Sequence, residues 1–399
     1  KTTTFTAANG EGYFVDTSGG VVTMNLPSSP SAGDIVAFKD YAGTFATNNF
    51  TIGRGGSNLD GAAKNKAIET DHTSMSLVYV DATQGWKSVE EGTGFIGESF
   101  ITATGGTITT SGDFKIHTFT GPGNFTVTGL ASETPNNVVD YLVIAGGAAG
   151  GNGSSAGGYG GGGGGAGGYR ESSGASTGCY TRSPLGACVS ALPVSATTFP
   201  ITIGAGGAVA SPDNSQGNNG SNSSFSTITS AGGGGGGGTY EGAQKQGSSG
   251  GSGGGGGSGG NEPPSTPVNG GAGNTPPVSP PQGNNGGTGS LPSAHPGAGG
   301  GGATAVGTNA PGSTPTNPST ATGGAGGTSS INGTPTARAG GGGAGGLGVN
   351  GASGGSGGGG AGGPHPGNGT AGTTNTGGGG GGGSGGTGIK GGAGGSGIV

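Results

Sequence analysis

Gly160-Gly161-Gly162-Gly163-Gly164-Gly165-Ala166-Gly167-Gly168-Tyr169-Arg170 decides how this chain must fold. From 160 to 168 no side chain is larger than a methyl group, so this stretch cannot supply an apolar core. Its only strong groups are the amide and the carbonyl. Similar runs recur at 232–238, 253–257, 299–302, 340–343, 357–360 and 377–383. Glycine disfavours a helix by about 0.8–1 kcal/mol per position relative to Ala, so no helix is expected there. An extended helix of roughly three residues per turn points its amides and carbonyls outward and makes no internal hydrogen bonds. A lone rod of that kind must be solvated, whereas a bundle can pair rod to rod.

Each such pairing adds about 0.5–1.5 kcal/mol net, which works against glycine's large ordering entropy. Only glycine lets the axes approach closely, for the steric reason that puts it on the collagen axis. Collagen itself is excluded by the lack of a strict every-third-glycine register. The run 250–260, interrupted by Ser252 and Ser258, would span about 34 Å at about 3.1 Å per residue. Alanine and serine interruptions are expected on outer faces or at run ends. The second half thus reads as a polyglycine II-type bundle joined by Pro/Thr/Asn loops such as 261–267 and 314–318.

Composition agrees with a chain of two kinds. Glycine supplies 114 of 399 residues, against a usual share of about 7%. Of the 54 Leu, Ile, Val and Phe residues, 34 precede position 145, so apolar packing belongs to the first third. Charged residues make up only 8% and the net charge is -6. This gives no basic footprint for nucleic acid. No run of 18 apolar residues reads as a membrane span. The chain starts at Lys1 rather than Met, and a processed or trimmed piece is expected.

The fold class expected is mainly β, with N-terminal antiparallel β domains ahead of the bundle and no significant α-helix. Three regions are expected: a β domain over 1–92, a second β-rich segment over 93–144, and the glycine-rich bundle over 145–399. Short alternating segments bounded by Gly, Pro, Asn and Asp carry the β reading. Met75 to Val80 and Trp86 to Val89 form an expected hairpin across Asp81-Ala82-Thr83-Gln84-Gly85. Phe100 to Thr102, Thr107 to Thr109, Phe114 to Phe119 and Phe125 to Thr128 continue the pattern. Val138-Val139-Asp140-Tyr141-Leu142-Val143-Ile144 is apolar enough to expect burial on both faces. Two β islands, at 199–203 and 224–229, interrupt the glycine region.

Cys179 and Cys188 bracket a short loop and fit a disulfide clip in an oxidising setting, with free thiols as the alternative. Tyr180 and Arg182 within that loop offer an aromatic ring and a planar cation for contact with a glycan or protein. Tyr169, Arg170 and Tyr240 are further receptor-contact candidates, and each can equally cap a glycine rod. His72, His117, His295 and His365 are scattered, with His117 expected to face solvent. No carboxylate pair or Ser-His-Asp set stands out. No catalytic residue, metal or cofactor is therefore expected, and the chain reads as a non-enzyme.

Gly12-Tyr13-Phe14-Val15-Asp16-Thr17-Ser18-Gly19-Gly20, with Leu26-Pro27 and Gly33-Asp34-Ile35-Val36-Ala37-Phe38-Lys39-Asp40-Tyr41-Ala42-Gly43-Thr44-Phe45, resembles a module of tail-fibre proteins from aquatic phages. Val139 to Gly147, Gly165 to Arg170, Gly220 to Ser226, Ala371 to Gly377 and Gly395-Ser396-Gly397-Ile398-Val399 resemble the glycine-rich domain of such fibres. The likeness spans nearly the whole chain. It implies a virion fibre or adhesin at a tail or capsid, outside the cell. Its style is that of polyglycine sandwiches, which present receptor-binding loops at one tip. The implied partners are a host cell-surface glycan or protein and further copies of the chain, as a homotrimer or helical assembly. Nucleic acid and membrane insertion are not implied. The alternative expectation is a self-assembling filament or capsid-decoration protein. Members usually carry a few further β residues after Gly-Ile-Val.

Overall fold

The computed structural model describes residues 1–92, 100–131, 136–154, 159–174, 180–186, 189–239, 242–258, 268–290, 296–311, 320–346 and 351–399. The chain divides into two compact units, Lys1–Ser99 and Phe100–Val399. It is mainly β, and among the described residues no α-helix occurs.

The first unit is two four-stranded sheets around an apolar core. Its strands are β1 (Phe5–Thr6), β2 (Glu11–Val15), β3 (Val22–Asn25), β4 (Ile35–Asp40), β5 (Phe50–Gly53), β6 (Lys66–Ile68), β7 (Ser74–Asp81) and β8 (Gly85–Gly92). The sheet orders are β1-β3-β5-β6 and β2-β4-β7-β8. Strands β1 to β5 therefore alternate between the two sheets. A chain that returns to the same sheet after each crossing runs in the same direction each time. This makes β1, β3 and β5 parallel, and β2 parallel to β4. The expectation of an antiparallel domain is thus corrected for these five strands. Hairpins appear only from β5 onward, including the expected β7–β8 pair. Alternation sends Val15, Met24, Val36, Phe38, Phe50, Ile52 and Leu77 inward, where Trp86 joins them fully buried. Phe50 packs on Phe38 and Phe45 with ring centroids 4.7 and 4.9 Å apart.

The β segment expected over 93–144 belongs, in its described part, to the second unit. Its strands are β9 (Thr102–Thr104), β10 (Thr107–Ser111), β11 (Phe114–Thr118), β12 (Gly123–Gly129), β13 (Val138–Val139) and β14 (Leu142–Ile144). Strands from within the glycine region complete its sheets. These are β15 (Tyr169–Glu171), β16 (Leu192–Pro193), β17 (Thr198–Thr202), β18 (Ser223–Phe225) and β19 (Ile228–Ser230). One five-stranded sheet has the order β19-β18-β17-β12-β9. Its Phe125, Val127, Ile201 and Phe225 pack with Tyr141 and Val143. Leu142, Val143 and Ile144 are all buried, so β14 is covered on both faces. A last hairpin joins β20 (Gly327–Ser329) to β21 (Thr336–Arg338).

The rest is glycine-rich backbone paired segment to segment. The run 160–168 shows the rule. The amides of Gly161, Gly164 and Gly167 donate to the carbonyls of Gly383, Gly380 and Gly377. Those of Gly162, Gly165 and Gly168 donate to Gly237, Gly234 and Ala231, and those of Gly163 and Ala166 to Ala298 and Gly301. The carbonyls of Gly162, Gly165 and Gly168 accept from Gly151, Ala148 and Ala145. Those of Gly161 and Gly164 accept from Gly345 and Gly342, and those of Gly160, Gly163 and Ala166 from Ser258, Gly255 and Ser252. Each neighbour thus meets every third residue, and six segments surround this one. A Cβ placed on Gly161, Gly162, Gly163, Gly164 or Gly165 would come closer than 3.0 Å to a carbonyl oxygen of Gly151, Gly255, Gly342, Ala148 or Ser252. Only glycine fits there.

The interruptions do not all sit on outer faces. Ser252 and Ser258 are fully buried, and their hydroxyls lack hydrogen-bond partners among the described residues. Ala166 is buried too, against Leu142, Ile144, Tyr169, Ala303 and Ala339, where the run meets an apolar cluster at its end. On outer segments, asparagine side chains replace missing neighbours. Asn219 and Asn222 accept from the amides of Gly235 and Gly232 at 2.8 and 2.9 Å.

Candidate functional site

Pairing registers fix the direction of each segment. Gly217 and Gly220 bond to Gly236 and Gly233, so 216–222 runs against 231–238; Gly392 and Gly395 bond to Gly381 and Gly378, so 390–397 runs against 377–384. Successive segments run up and back, and their turns fall at two ends. One end carries β14, β15, the β18–β19 and β20–β21 hairpins, the 274–282 turn and the 180–186 segment. The other carries the turns at 211–215, 242–246, 364–366 and 385–389.

The β end holds four of the seven contact and disulfide candidates. Tyr169 is 1% exposed. That corrects its reading as a receptor contact: its ring fills the apolar cluster at the end of the run. Its hydroxyl donates to Glu171 Oε2 at 3.2 Å, and the same oxygen accepts from Ser183 N at 2.9 Å and Ser183 Oγ at 2.5 Å. Glu171 thereby fastens the 180–186 segment, which turns through a 3-10 element at Pro184–Gly186. Tyr180 is half-buried, with its hydroxyl 3.3 Å from Ser172 O. Burial pushes the phenols of Tyr169 and Tyr180 far above their ordinary range, so both stay protonated. Arg170 is half-buried, and Nη1 reaches Thr229 O at 3.5 Å. Arg182 is exposed and donates to Ser173 O at 2.9 Å. Cys179, Cys188 and Tyr240 lie outside the described residues, as does His295. His117 is half-buried rather than open: Nδ1 sits 2.8 Å from Gly105 O and the ring meets Phe125 edge-on.

Tyr141, Tyr169, Arg170, Glu171, Leu185, Val189 and Pro280 line a cleft here of about 10 Å³. That is room for a single water. A sugar ring does not fit in this cleft.

Sequence reasoning missed the opposite end. There Asn152 ties two turns together: Nδ2 donates to Ala210 O and Pro212 O at 3.0 and 2.7 Å, and Oδ1 accepts from Gly391 N at 3.0 Å. Asp213 accepts from Lys390 Nζ at 2.7 Å and from Gly388 N at 2.8 Å. Lys390, with the Gly388 amide, holds the Asp213 carboxyl below its ordinary range. Pro364, His365, Pro366 and Thr387 are exposed between these anchors. The signal available in sequence was the parity of the runs, since every second connection must return to the same end.

No curated protein matches the chain. A sequence profile described as a glycine-rich domain matches residues 119–399. That span begins at Phe119, the first buried residue of the second unit's apolar cluster, and ends with the last paired residue, Val399. The chain belongs to this glycine-rich domain family.

Proposed function

We propose that this chain is a non-enzymatic fibre or adhesin subunit of a virion, binding a cell-surface glycan or protein through the turns opposite the β end. The observation that carries this reading is the up-and-back bundle held by main-chain pairing. We read the bundle as polyglycine II-type, because each segment meets its neighbours at every third residue. Such a platform fixes short polar turns in advance, and fixed turns lose little conformational entropy on binding. Asn152, Asp213 and Lys390 hold the turns at that end to one another. Chemistry by the tyrosines is disfavoured by their raised pKa, and the cleft beside them is too small for a sugar ring.

The test is binding of fluorescently labelled protein to a panel of aquatic bacteria and to a glycan array. Replacing 364–366 by Gly-Ser-Gly, together with Thr387→Ala, is expected to abolish cell binding while leaving Tm nearly unchanged. Arg182→Ala at the β end is expected to leave binding within about twofold. No binding to any cell or glycan by the intact chain would overturn the reading.

A second reading is self-assembly into a filament or capsid decoration. The outer edge of β10 favours it: Thr107-Ile108-Thr109-Thr110-Ser111 is uncharged and exposed except for Ser111. Such an edge is a template for strand pairing between chains. Light scattering that gives an open-ended mass distribution would select this reading over a discrete oligomer.

A further inference from the structure

Asparagine followed by glycine is a labile dipeptide, because glycine has no side chain to shield its amide nitrogen from the neighbouring carboxamide. The chain has eight such pairs, starting at residues 9, 152, 219, 269, 285, 332, 350 and 368. Asn350 lies outside the described residues. Hydrogen bonds hold six of the others. Asn9, Asn219, Asn285 and Asn368 each accept a main-chain amide on Oδ1, from Ile35, Gly235, Gly273 and Lys390. The glycine amide after each of these four also donates, to Ile35 O, Gly233 O, Gly271 O and Lys390 O. Asn152 is fully buried with its side chain in three hydrogen bonds. After Asn332, the Gly333 amide donates to Ser330 O at 2.8 Å. Asn269 differs. It is exposed, and among the described residues neither its side chain nor the Gly270 amide has a hydrogen-bond partner.

We propose that Asn269 is a self-modification site, where the Gly270 nitrogen turns the carboxamide into a carboxylate without an enzyme. The Gly270 nitrogen gives its proton to a solvent base and bonds to Asn269 Cγ. The Cγ–Nδ2 bond breaks, and Nδ2 takes up a proton and leaves as ammonia. The product is a cyclic imide. Water adds to either of its carbonyls and opens the ring to aspartate or isoaspartate. One water is consumed and one ammonia released, and nothing is oxidised or reduced. Isoaspartate lengthens the main chain by a carbon atom, in a segment whose register is fixed on every side. Gly289 donates to Val268 O at 2.7 Å, Gly247 to Asn269 O at 3.0 Å, and Gly271 to Gly254 O at 2.7 Å. Gly247 directly follows the 242–246 turn, so the reaction loosens the base of that turn.

The experiment stores the full chain in mildly alkaline heavy-oxygen water and maps its peptides by mass spectrometry. Asn269 is expected to take up heavy oxygen about tenfold faster than Asn219, Asn285 or Asn368, which must first lose hydrogen bonds by local opening. In denaturant the four sites are expected to react at similar rates. Amide exchange at Gly247 is expected to quicken in the stored protein, and not in Asn269→Gln stored alike. A folded-state rate at Asn269 no higher than at Asn219 and Asn285 would overturn the proposal. So would a preference for Asn269 that persists in denaturant, because neighbouring sequence rather than the fold would then set it.

Discussion

Lys390 Nζ stands 2.7 Å from Asp213 Oδ1, joining two turns that are 177 residues apart in sequence. Both side chains remain about a quarter exposed, so solvent screens the pair and its contribution is about 0.2–1 kcal/mol. The hydrogen bond from Lys390 lowers the Asp213 pKa in the folded state. A depressed carboxyl stabilises the fold above its unfolded pKa, near 3.9, and this stabilisation is lost as pH falls through the folded value. Asp213→Asn is expected to lower Tm slightly at pH 7 and to have no effect well below pH 3, as followed by thermal melts across pH.

Gly164→Ala places a methyl group against the carbonyl of Ala148 inside the bundle. Neighbouring main chain must shift, and the expected loss is about 1–3 kcal/mol or more. Gly121→Ala is the contrast, because nothing lies within 4 Å of its added Cβ and its φ is not positive. There the change is expected to be neutral, or stabilising by about 0.4–1 kcal/mol. Urea melts of the two variants check the difference.

Much of this arrangement is legible in the amino-acid order alone. Runs of residues with nothing beyond a methyl group require main-chain pairing, and alternation at Val36 and Phe38 or Phe125 and Val127 marks the inward faces. Partners are not legible. Alternation says which face of β3 is buried but not that β1 and β5 lie beside it, so the parallel pairing stays hidden. In a bundle with a threefold repeat, each neighbour touches one residue in three. A run such as 250–260 does not reveal which residue that is, so the burial of Ser252 and Ser258 cannot be read from it. Tyr169 looks available because it ends a glycine run. Its burial follows from the switch to strand geometry at β15, which turns it toward Ala166 and Ile144. The residues of the opposite end are hidden because they gain neighbours only after many up-and-back passes.

Asn222→Ala should expose the dependence of outer segments on side-chain amides. The Gly232 amide donates to Asn222 Oδ1 at 2.9 Å. Removing that acceptor leaves a part-buried donor unpaired, at a cost of about 1–3 kcal/mol. Hydrogen exchange at Gly232 is expected to quicken well before global unfolding does.

Glu171→Ala removes the acceptor shared by Tyr169 and Ser183, and leaves Arg338 buried with less compensating charge. A loss of about 3 kcal/mol is expected. Glu171→Gln keeps one acceptor and is expected to lose less. Because the 180–186 segment is tied to Glu171, limited proteolysis near Arg182 should accelerate in Glu171→Ala and not in Asp213→Asn.

The threefold contact pattern has a consequence for how such a chain can change over generations. At most glycines inside a segment a larger residue drives a carbon atom into a neighbouring peptide oxygen, so replacement there is disfavoured. A turn at the end of two segments bears no such constraint, since its flanking glycines are recognised only by their backbones. Sequence novelty is therefore channelled into the turns, and the scaffold that displays them stays fixed while they diversify.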